Sequence, residues 1–373
     1  MIIYFGLIGF LFLISFFIKK RNIDRDKQDS LILVLTIGAM YLICVLRKST
    51  VGIDTASYET MYEMSGYFPW DNFSFSNFEY GYILLMKVFA KLGFSFQLFL
   101  AVIYAYIFLP LYFFIKKYSK DVTLSLLIYI CYQFFVFNLS GIRQSLATGI
   151  CLLAFRFLEK KNFKSFISFV LIVTTAGFIH KSAILFFLVY FIIHIKITPL
   201  TSLGYICAYF ISIIFRSNIS EFINTNIKET IGTLSLGGNF LFIIGITVFC
   251  SISVNYLLHA HQSTKQYLSP YIYDNKNTIS DNSYVFDINR ISVRLMFFSI
   301  LCFLLFNGSS LLRAAMYTTI FIIVLLPNCI LIYENKISAL LKYTISLFMI
   351  ALFYIETLSV NQFDIVPYYF FWQ

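Results

Sequence analysis

The sequence predicts an all-α membrane protein that crosses the bilayer many times. Of its 373 residues, 60% are hydrophobic and only 12% are charged, which is well below the charged fraction of soluble domains. The apolar residues recur in blocks of 13 to 20 between Ile2 and Glu356, and such blocks span or nearly span ~30 Å of hydrocarbon. A water-soluble globule is therefore excluded, and residues 1–373 are predicted to form one integral-membrane domain.

Clusters of charged residues separate about twelve predicted spans. The first block, from Ile2 to Ile18, has its charges after it and no small-residue cleavage pattern, so we interpret it as a retained span and not a signal peptide. The seven cysteines lie in or beside the blocks without short spacings, which is typical of core residues and not of disulfides. The predicted spans are 2–18, 30–46, 95–115, 122–138, 143–158, 165–179, 183–195, 203–217, 239–258, 291–307, 313–333 and 339–356.

The distribution of Lys and Arg predicts the orientation. Five basic residues in the linker 19–29 are typical of a cytoplasmic loop, so we expect both termini and the loop 47–77 outside. The apolar segment 79–93 contains two lysines, and if it crossed, later basic runs would lie outside; we interpret it as a re-entrant or interfacial helix. Residues 259–290 are rich in turn-forming residues and are predicted to be a cytoplasmic connector. The net charge of +10 is attributed to topology and not to nucleic-acid binding.

On this topology, several polar side chains collect at the outer boundary of the membrane. A single Arg or Lys there is readily explained as an anchor at a span end, but several on the side that disfavours positive charge indicate an anionic ligand. Arginines can neutralise a diphosphate leaving group without a divalent cation, while a histidine or carboxylate activates an incoming hydroxyl. The set comprises Arg47, Asp54, Glu79, Arg143, Gln144, His180, Lys181 and Arg313.

Other polar groupings are less specific. Asp24 and Asp26 lie among basic residues of the cytoplasmic linker, and His259 with His261 provides too few ligands for zinc. The sequence contains no glycine-rich phosphate loop, no HExxH and no GxSxG motif. No metal site and no cofactor are therefore predicted.

Six short motifs, in order along the chain, resemble those of the EpsG family of exopolysaccharide membrane proteins. Each string alone is weakly specific, but the ordered set extends over 47–369, nearly the whole chain. Ile53 stands where the family often has Thr. The elements are RKSTVGIDT (47–55) with Tyr58, FEYGY (78–82), NLSGIRQS (138–145), FIHKSA (178–183), Arg313 with Tyr317, and VPYY (366–369).

The resemblance implies a Wzy-like polymerase that extends O-antigen, capsule or exopolysaccharide at the outer face of the inner membrane, with an architecture similar to GT-C glycosyltransferases. The implied donor is a glycan on undecaprenyl diphosphate, the acceptor is another lipid-linked repeat unit, and a flippase and a chain-length regulator are the implied partners. In this interpretation, the diphosphate is bound by Arg143, Arg313 and Arg47. His180 positions or deprotonates the acceptor hydroxyl. Asp54 and Glu79 orient that base, bind sugar hydroxyls or act as the base themselves. The expected substrate contacts are Tyr58, Tyr82, Gln144, Lys181, Tyr317 and Tyr368.

Three alternative functions stay open at this point. Another lipid-carrier glycosyltransferase or ligase, acting on lipid A core, protein or a different lipid, would share the chemistry. A transporter of lipid-linked oligosaccharides is expected to place charges at the midplane and to contain repeated halves, and neither feature is evident. An acyltransferase would need an acyl donor from the cytoplasm, opposite the predicted side of His180.

Overall fold

The prediction of an all-helical chain is confirmed for the residues that the structure, a computed structural model, describes. These are 1–160, 162–195, 199–215, 217–218, 221, 238–263, 287–306, 315–361 and 363–373. They contain no strand, although an isolated β-bridge joins Arg47 to Phe370. Most of the predicted connector 259–290 and all of Arg313 lie outside the described residues.

Every predicted span contains helix, and the helices follow one another in this order. They are α1 (Ile2–Lys19), α2 (Arg25–Val45), α3 (Thr55–Tyr67), α4 (Tyr80–Lys91), α5 (Phe96–Tyr118), α6 (Val122–Cys131), α7 (Phe134–Ser140), α8 (Ile142–Phe155), α9 (Phe163–Ile179), α10 (Phe187–Ile192), α11 (Pro199–Ile214), α12 (Gly238–Ser263), α13 (Ile288–Phe306), α14 (Met316–Thr319), α15 (Ile322–Ile330) and α16 (Asn335–Phe353). Short 3-10 helices continue α8 (Arg156–Glu159) and precede α10 (Lys181–Phe186), and a π-helix (Tyr354–Leu358) continues α16. Side chains of Asp24, Ser95, Asp121 and Asn162 accept hydrogen bonds from backbone amides at the starts of α2, α5, α6 and α9.

The number of about twelve spans is not confirmed. Among the described residues, five helices are long and apolar enough to cross a membrane, or six if α6 and α7, which meet at a 47° bend, form one broken span. Several further apolar helices are only 10 to 17 residues long. The bend follows from the backbone of Gln133, whose φ of 68° interrupts the helical hydrogen bonds between α6 and α7.

The segment 79–93 forms the short helix α4, which packs on α3 and α9 and is not among the candidate membrane spans. Both of its lysines donate hydrogen bonds to the chain before it. The ammonium of Lys87 donates to the carbonyls of Pro69 and Asn72, in the loop, and that of Lys91 to the Gly66 carbonyl, at the end of α3, at 3.3 Å. The lysines that interrupt the apolar pattern therefore fasten the loop that leads to Glu79.

The basic loops meet at one end of the helix bundle. Lys116 lies 3.5 Å from Asp26, and Lys342 lies 2.8 Å from Asp121. α8 ends, and α9 begins, at this basic end of the bundle. The start of α8 and the end of α9, which precedes His180, therefore lie at the opposite end. This is the grouping of loops that the charge pattern predicts.

The described C-terminal residues, 359–361 and 363–373, pack along the loop that joins α2 to α3. The amide of Gly52 donates to the Asp364 carbonyl at 2.8 Å, and the amide of Lys48 to the Tyr369 carbonyl at 2.9 Å. Gly52 has a φ of +98°, and a Cβ there would lie 2.1 Å from the Leu139 carbonyl oxygen, so only glycine fits this turn. The tail and the 47–54 loop therefore share the end of the bundle that carries Arg143.

Candidate active site

The carboxylate of Glu79 joins three separate parts of the chain. Its Oε2 accepts a hydrogen bond from Nη1 of Arg143, at the start of α8, and its Oε1 lies 2.9 Å from Nδ1 of His180, which follows α9. The backbone amide of Lys181 also donates to Oε1, at 3.1 Å. The side chains of Glu79, Arg143 and His180 are 9%, 20% and 19% exposed, so the cluster lies just below the surface and remains reachable.

The ionisation of Glu79 follows from these contacts. Burial raises the pKa of this carboxyl group. The hydrogen bond from His180, the charge of Arg143 and the Lys181 amide lower the pKa by more than burial raises it, and the pKa is about 2. The group is therefore an anion near neutral pH and only accepts hydrogen bonds. The proton of the His180–Glu79 bond then belongs to Nδ1, which leaves Nε2 of the ring as an unprotonated acceptor in the neutral histidine.

Arg143 is held in place on two sides. Its Nε donates to the hydroxyl of Tyr58, on α3, at 3.3 Å, and its guanidinium carbon lies 4.1 Å from the centre of the Phe78 ring. Sequence reasoning gave no role to Phe78, although this aromatic residue directly precedes Glu79 in the FEYGY string. Within the described part of the chain, Nη2 of Arg143 has no hydrogen-bond partner. One edge of the guanidinium therefore remains available for an anion.

Close packing of α4 against the end of α9 brings Glu79 to His180. Gly81, two residues after Glu79, faces Phe178, two residues before His180. A Cβ on Gly81 would lie 2.8 Å from the Phe178 carbonyl oxygen, a distance that any larger residue would have to increase. The glycine of the FEYGY string and the aromatic residue of the FIHKSA string thus set the distance between the two helices.

Lys181, Ser182 and Tyr317 extend the cluster. The side chain of Lys181 is exposed and forms no ion pair with any residue that the structure describes. The hydroxyl of Ser182 lies 3.2 Å from that of Tyr317, which is 1% exposed. Arg313, four positions before Tyr317 in the sequence, lies outside the described residues.

Three of the other predicted substrate residues are mostly buried. The ring of Tyr58 contacts the rings of Phe78 and Tyr82 with centroid distances of 5.3 and 5.8 Å, and Tyr82 is fully buried. Gln144 is 2% exposed. In this conformation Tyr58 contacts Arg143 through its hydroxyl, and Tyr82 packs behind the ring of Tyr58.

The structure does not bring Arg47 to this cluster. Arg47 is fully buried, and its guanidinium donates to the carbonyls of Cys44, Val51 and Leu139 and to the hydroxyl of Thr55. Its positive charge also lies 5.2 Å from the centre of the Tyr104 ring. These contacts tie the end of α2 and the turn before α3 to the end of α7. The guanidinium has no side open to a ligand in this conformation.

Asp54 ends the 47–54 loop, and Tyr368 belongs to the C-terminal segment that packs along this loop. Asp54 precedes α3, one turn before Tyr58, and its half-buried carboxylate forms no hydrogen bond or ion pair with the described residues. Tyr368, in the C-terminal segment, donates its hydroxyl proton to the Ile43 carbonyl at 2.8 Å and packs on Tyr4. Asp54 is therefore available to a ligand, whereas the hydroxyl of Tyr368 is already engaged.

The described residues contain no group of three or more His, Cys, Asp or Glu side chains that could hold a metal ion. In comparisons with known proteins, the sequence model described as "EpsG family" matches residues 30–370. No curated protein and no solved structure matches the chain.

Proposed function

Because the chain belongs to the EpsG family, a Wzy-like polymerase family, we propose that it polymerises the repeat units of a surface polysaccharide. As a family member it is a multi-pass membrane protein of polysaccharide biosynthesis. The proposed reaction transfers a glycan from undecaprenyl diphosphate to a sugar hydroxyl of another lipid-linked repeat unit. The single observation that carries the proposal is the Glu79 carboxylate, which holds an arginine and a histidine side by side at one end of the bundle.

In the proposed reaction, Nε2 of His180 accepts the proton of the acceptor hydroxyl. The hydroxyl oxygen forms a bond to the anomeric carbon of the donor glycan, and the bond between that carbon and the diphosphate oxygen breaks. The departing diphosphate takes the electron pair, and the free edge of Arg143 and the ammonium of Lys181 stabilise its charge. Arg313 is proposed as a second arginine for the diphosphate, from its sequence position alone.

The three candidate bases, His180, Glu79 and Asp54, differ in the hydrogen bonds that they already form. Glu79 has a pKa of about 2 and receives three donors, so it is a weak base and is assigned the role of orienting His180. Asp54 has no such partners, and we assign it to binding sugar hydroxyls near Tyr58. Arg47 is assigned to structure and not to the diphosphate, since four protein oxygens already accept its hydrogen bonds.

The proposal places this end of the bundle outside the cell, with both termini, because the basic loops cluster at the other end.

The proposed chemistry uses arginine and lysine charges in place of a divalent cation. Purified protein in vesicles should therefore extend lipid-linked repeats equally well before and after treatment with EDTA. A loss of activity that Mg²⁺ or Mn²⁺ restores would contradict this assignment.

The experiment that tests the function is deletion in the source bacterium, followed by complementation and separation of surface glycans by length. Loss of the long ladder, with accumulation of single lipid-linked repeats, supports a polymerase. His180→Ala and Arg143→Ala should fail to restore the ladder at normal expression. The matched control is His194→Ala, because Nδ1 of His194 lies 2.6 Å from the Tyr190 carbonyl, away from Glu79. An unchanged ladder in the deletion strain contradicts the proposal.

The same purified protein distinguishes a polymerase from a ligase. A polymerase requires both substrates to carry the polyprenyl diphosphate, and its product keeps that lipid at the reducing end. A ligase instead transfers the glycan to an acceptor without this group. Products on lipid A core, protein or another lipid, with no lengthening of the diphosphate-linked chain, would replace the polymerase with that alternative.

A further inference from the structure

A groove of about 760 Å³ lies between α5, α8 and α9, at the end of the bundle opposite the Glu79 cluster. Its walls include the apolar side chains of Phe113, Leu153 and Phe157. Phe113 is 55% exposed within the protein, as expected for a side chain that faces lipid tails. The groove therefore offers an apolar surface that begins at the basic end of the bundle and extends along the helices.

The polar rim of this groove carries unpaired positive charge. Five basic residues line it, together with Glu159 as its one acidic residue. Glu159 pairs with Lys117 at 2.5 Å, and Asp26, in the first turn of α2, lies 3.5 Å from Lys116. The other three cations form no ion pair with any described residue: Arg156, Lys160 and Lys164.

We propose that this groove binds an anionic phospholipid, with the phosphodiester head group at Arg156, Lys160 and Lys164 and an acyl chain along Phe113 and Leu153. Topology alone explains positive charge at this end, but it does not require three cations around one apolar groove. A free phosphate has no apolar part that could pack against the apolar wall, and a neutral lipid would leave the three cations without a counterion. Basic pockets between membrane helices are known sites for acidic head groups. The proposal does not depend on the reaction at Glu79.

Titration with defined lipids tests the proposal. The full chain is purified in a neutral detergent, and phosphatidylglycerol, phosphatidylcholine or inorganic phosphate is added while binding is followed by native mass spectrometry and thermal stability. Phosphatidylglycerol should bind and raise the midpoint of unfolding, while the other two should not. Equal effects of both lipids, or the same effect from inorganic phosphate, would overturn the proposal.

A triple variant, Arg156→Gln with Lys160→Gln and Lys164→Gln, should weaken phosphatidylglycerol binding at least tenfold, because it removes the three charges that attract the acidic head group. Undiminished binding would contradict the site.

The matched control removes the same charge from the same end of the bundle through Lys20→Gln, Arg21→Gln and Lys27→Gln, and should bind normally. Leu153→Trp leaves the charge unchanged and fills the groove, so it provides a second test if the triple variant does not fold. This variant should also lose binding, and retention of full affinity would exclude the groove.

Discussion

Nδ1 of His180 lies 2.9 Å from Oε1 of Glu79, although 101 positions separate the two residues along the chain. Because the carboxylate is ionised and can only accept a hydrogen bond, this contact selects the tautomer of the histidine and points Nε2 away from Glu79. The same carboxylate binds Arg143 through its other oxygen. The proposed base and the proposed diphosphate ligand are therefore positioned by one side chain.

Replacement of Glu79 by glutamine should reduce turnover by about 100-fold or more. The amide is neutral and can donate to Nδ1, so it no longer selects the tautomer that leaves Nε2 free, and it no longer neutralises Arg143. The rate of chain extension in vesicles measures this effect. Glu63→Gln, an exposed position on α3, is the matched control and should retain normal turnover. Normal turnover in the Glu79 variant would remove the carboxylate from the mechanism.

The stability that Glu79 contributes should depend on pH in the acid range. Its pKa falls from an ordinary 4.5 to about 2 in the folded protein, so ionisation stabilises the fold above pH 4.5 and this contribution disappears as the pH falls towards 2. The full contribution is roughly 3 kcal/mol at 1.36 kcal/mol per pKa unit. Thermal midpoints of wild type and Glu79→Gln should therefore converge as the pH falls from 4.5 towards 2. A gap that does not change with pH would contradict the ion pair.

Substitution of Gly81 by alanine should lower kcat more than it changes KM. The new Cβ would lie 2.8 Å from the Phe178 carbonyl oxygen, so α4 must move away from α9 and carry Glu79 away from His180. Kinetics in vesicles and the thermal midpoint together measure the effect. Gly38→Ala on α2 is the control, since nothing lies within 4 Å of its added Cβ. A variant with normal kcat would show that this contact does not position Glu79.

Substitution of Arg47 by lysine should reduce the free energy of unfolding by about 3 kcal/mol or more. A single ammonium cannot reach the carbonyls and the hydroxyl that the guanidinium contacts, and those left without a donor remain buried. The protein that does fold should have a normal KM for the donor. Lys48→Gln, next to it and partly exposed, should lower the free energy of unfolding by less than about 1 kcal/mol. Normal stability with a raised KM would instead place Arg47 in the diphosphate site.

Much of the fold could be predicted because its signals are local. The apolar blocks are long enough to predict a helix in each span. The clusters of Lys and Arg predicted which loops lie at the same end of the bundle. The count of about twelve spans is not confirmed, because a break such as the one at Gln133 depends on backbone geometry that composition does not reveal. The short helix α4 could be recognised from Lys87 and Lys91, since lysines inside an apolar segment need acceptors that lipid does not supply.

The site could be predicted only as a set of residues at one end of the protein. Arg47, Arg143 and His180 have similar settings in the sequence, each at the edge of an apolar block. Tertiary contacts separate them, because Arg47 faces inward to backbone carbonyls while the other two meet at Glu79. Phe78 gained its role in the same way, as the ring beneath Arg143.

By itself, the sequence determined the class of protein, its helices and the chemical types available for catalysis, because hydropathy and charge act over neighbouring residues. Only the tertiary structure decided which of these groups touch. A hydrogen bond requires atoms within about 3 Å, and distances of that kind between residues 101 positions apart follow from helix packing, here from the approach of α4 to α9 at Gly81.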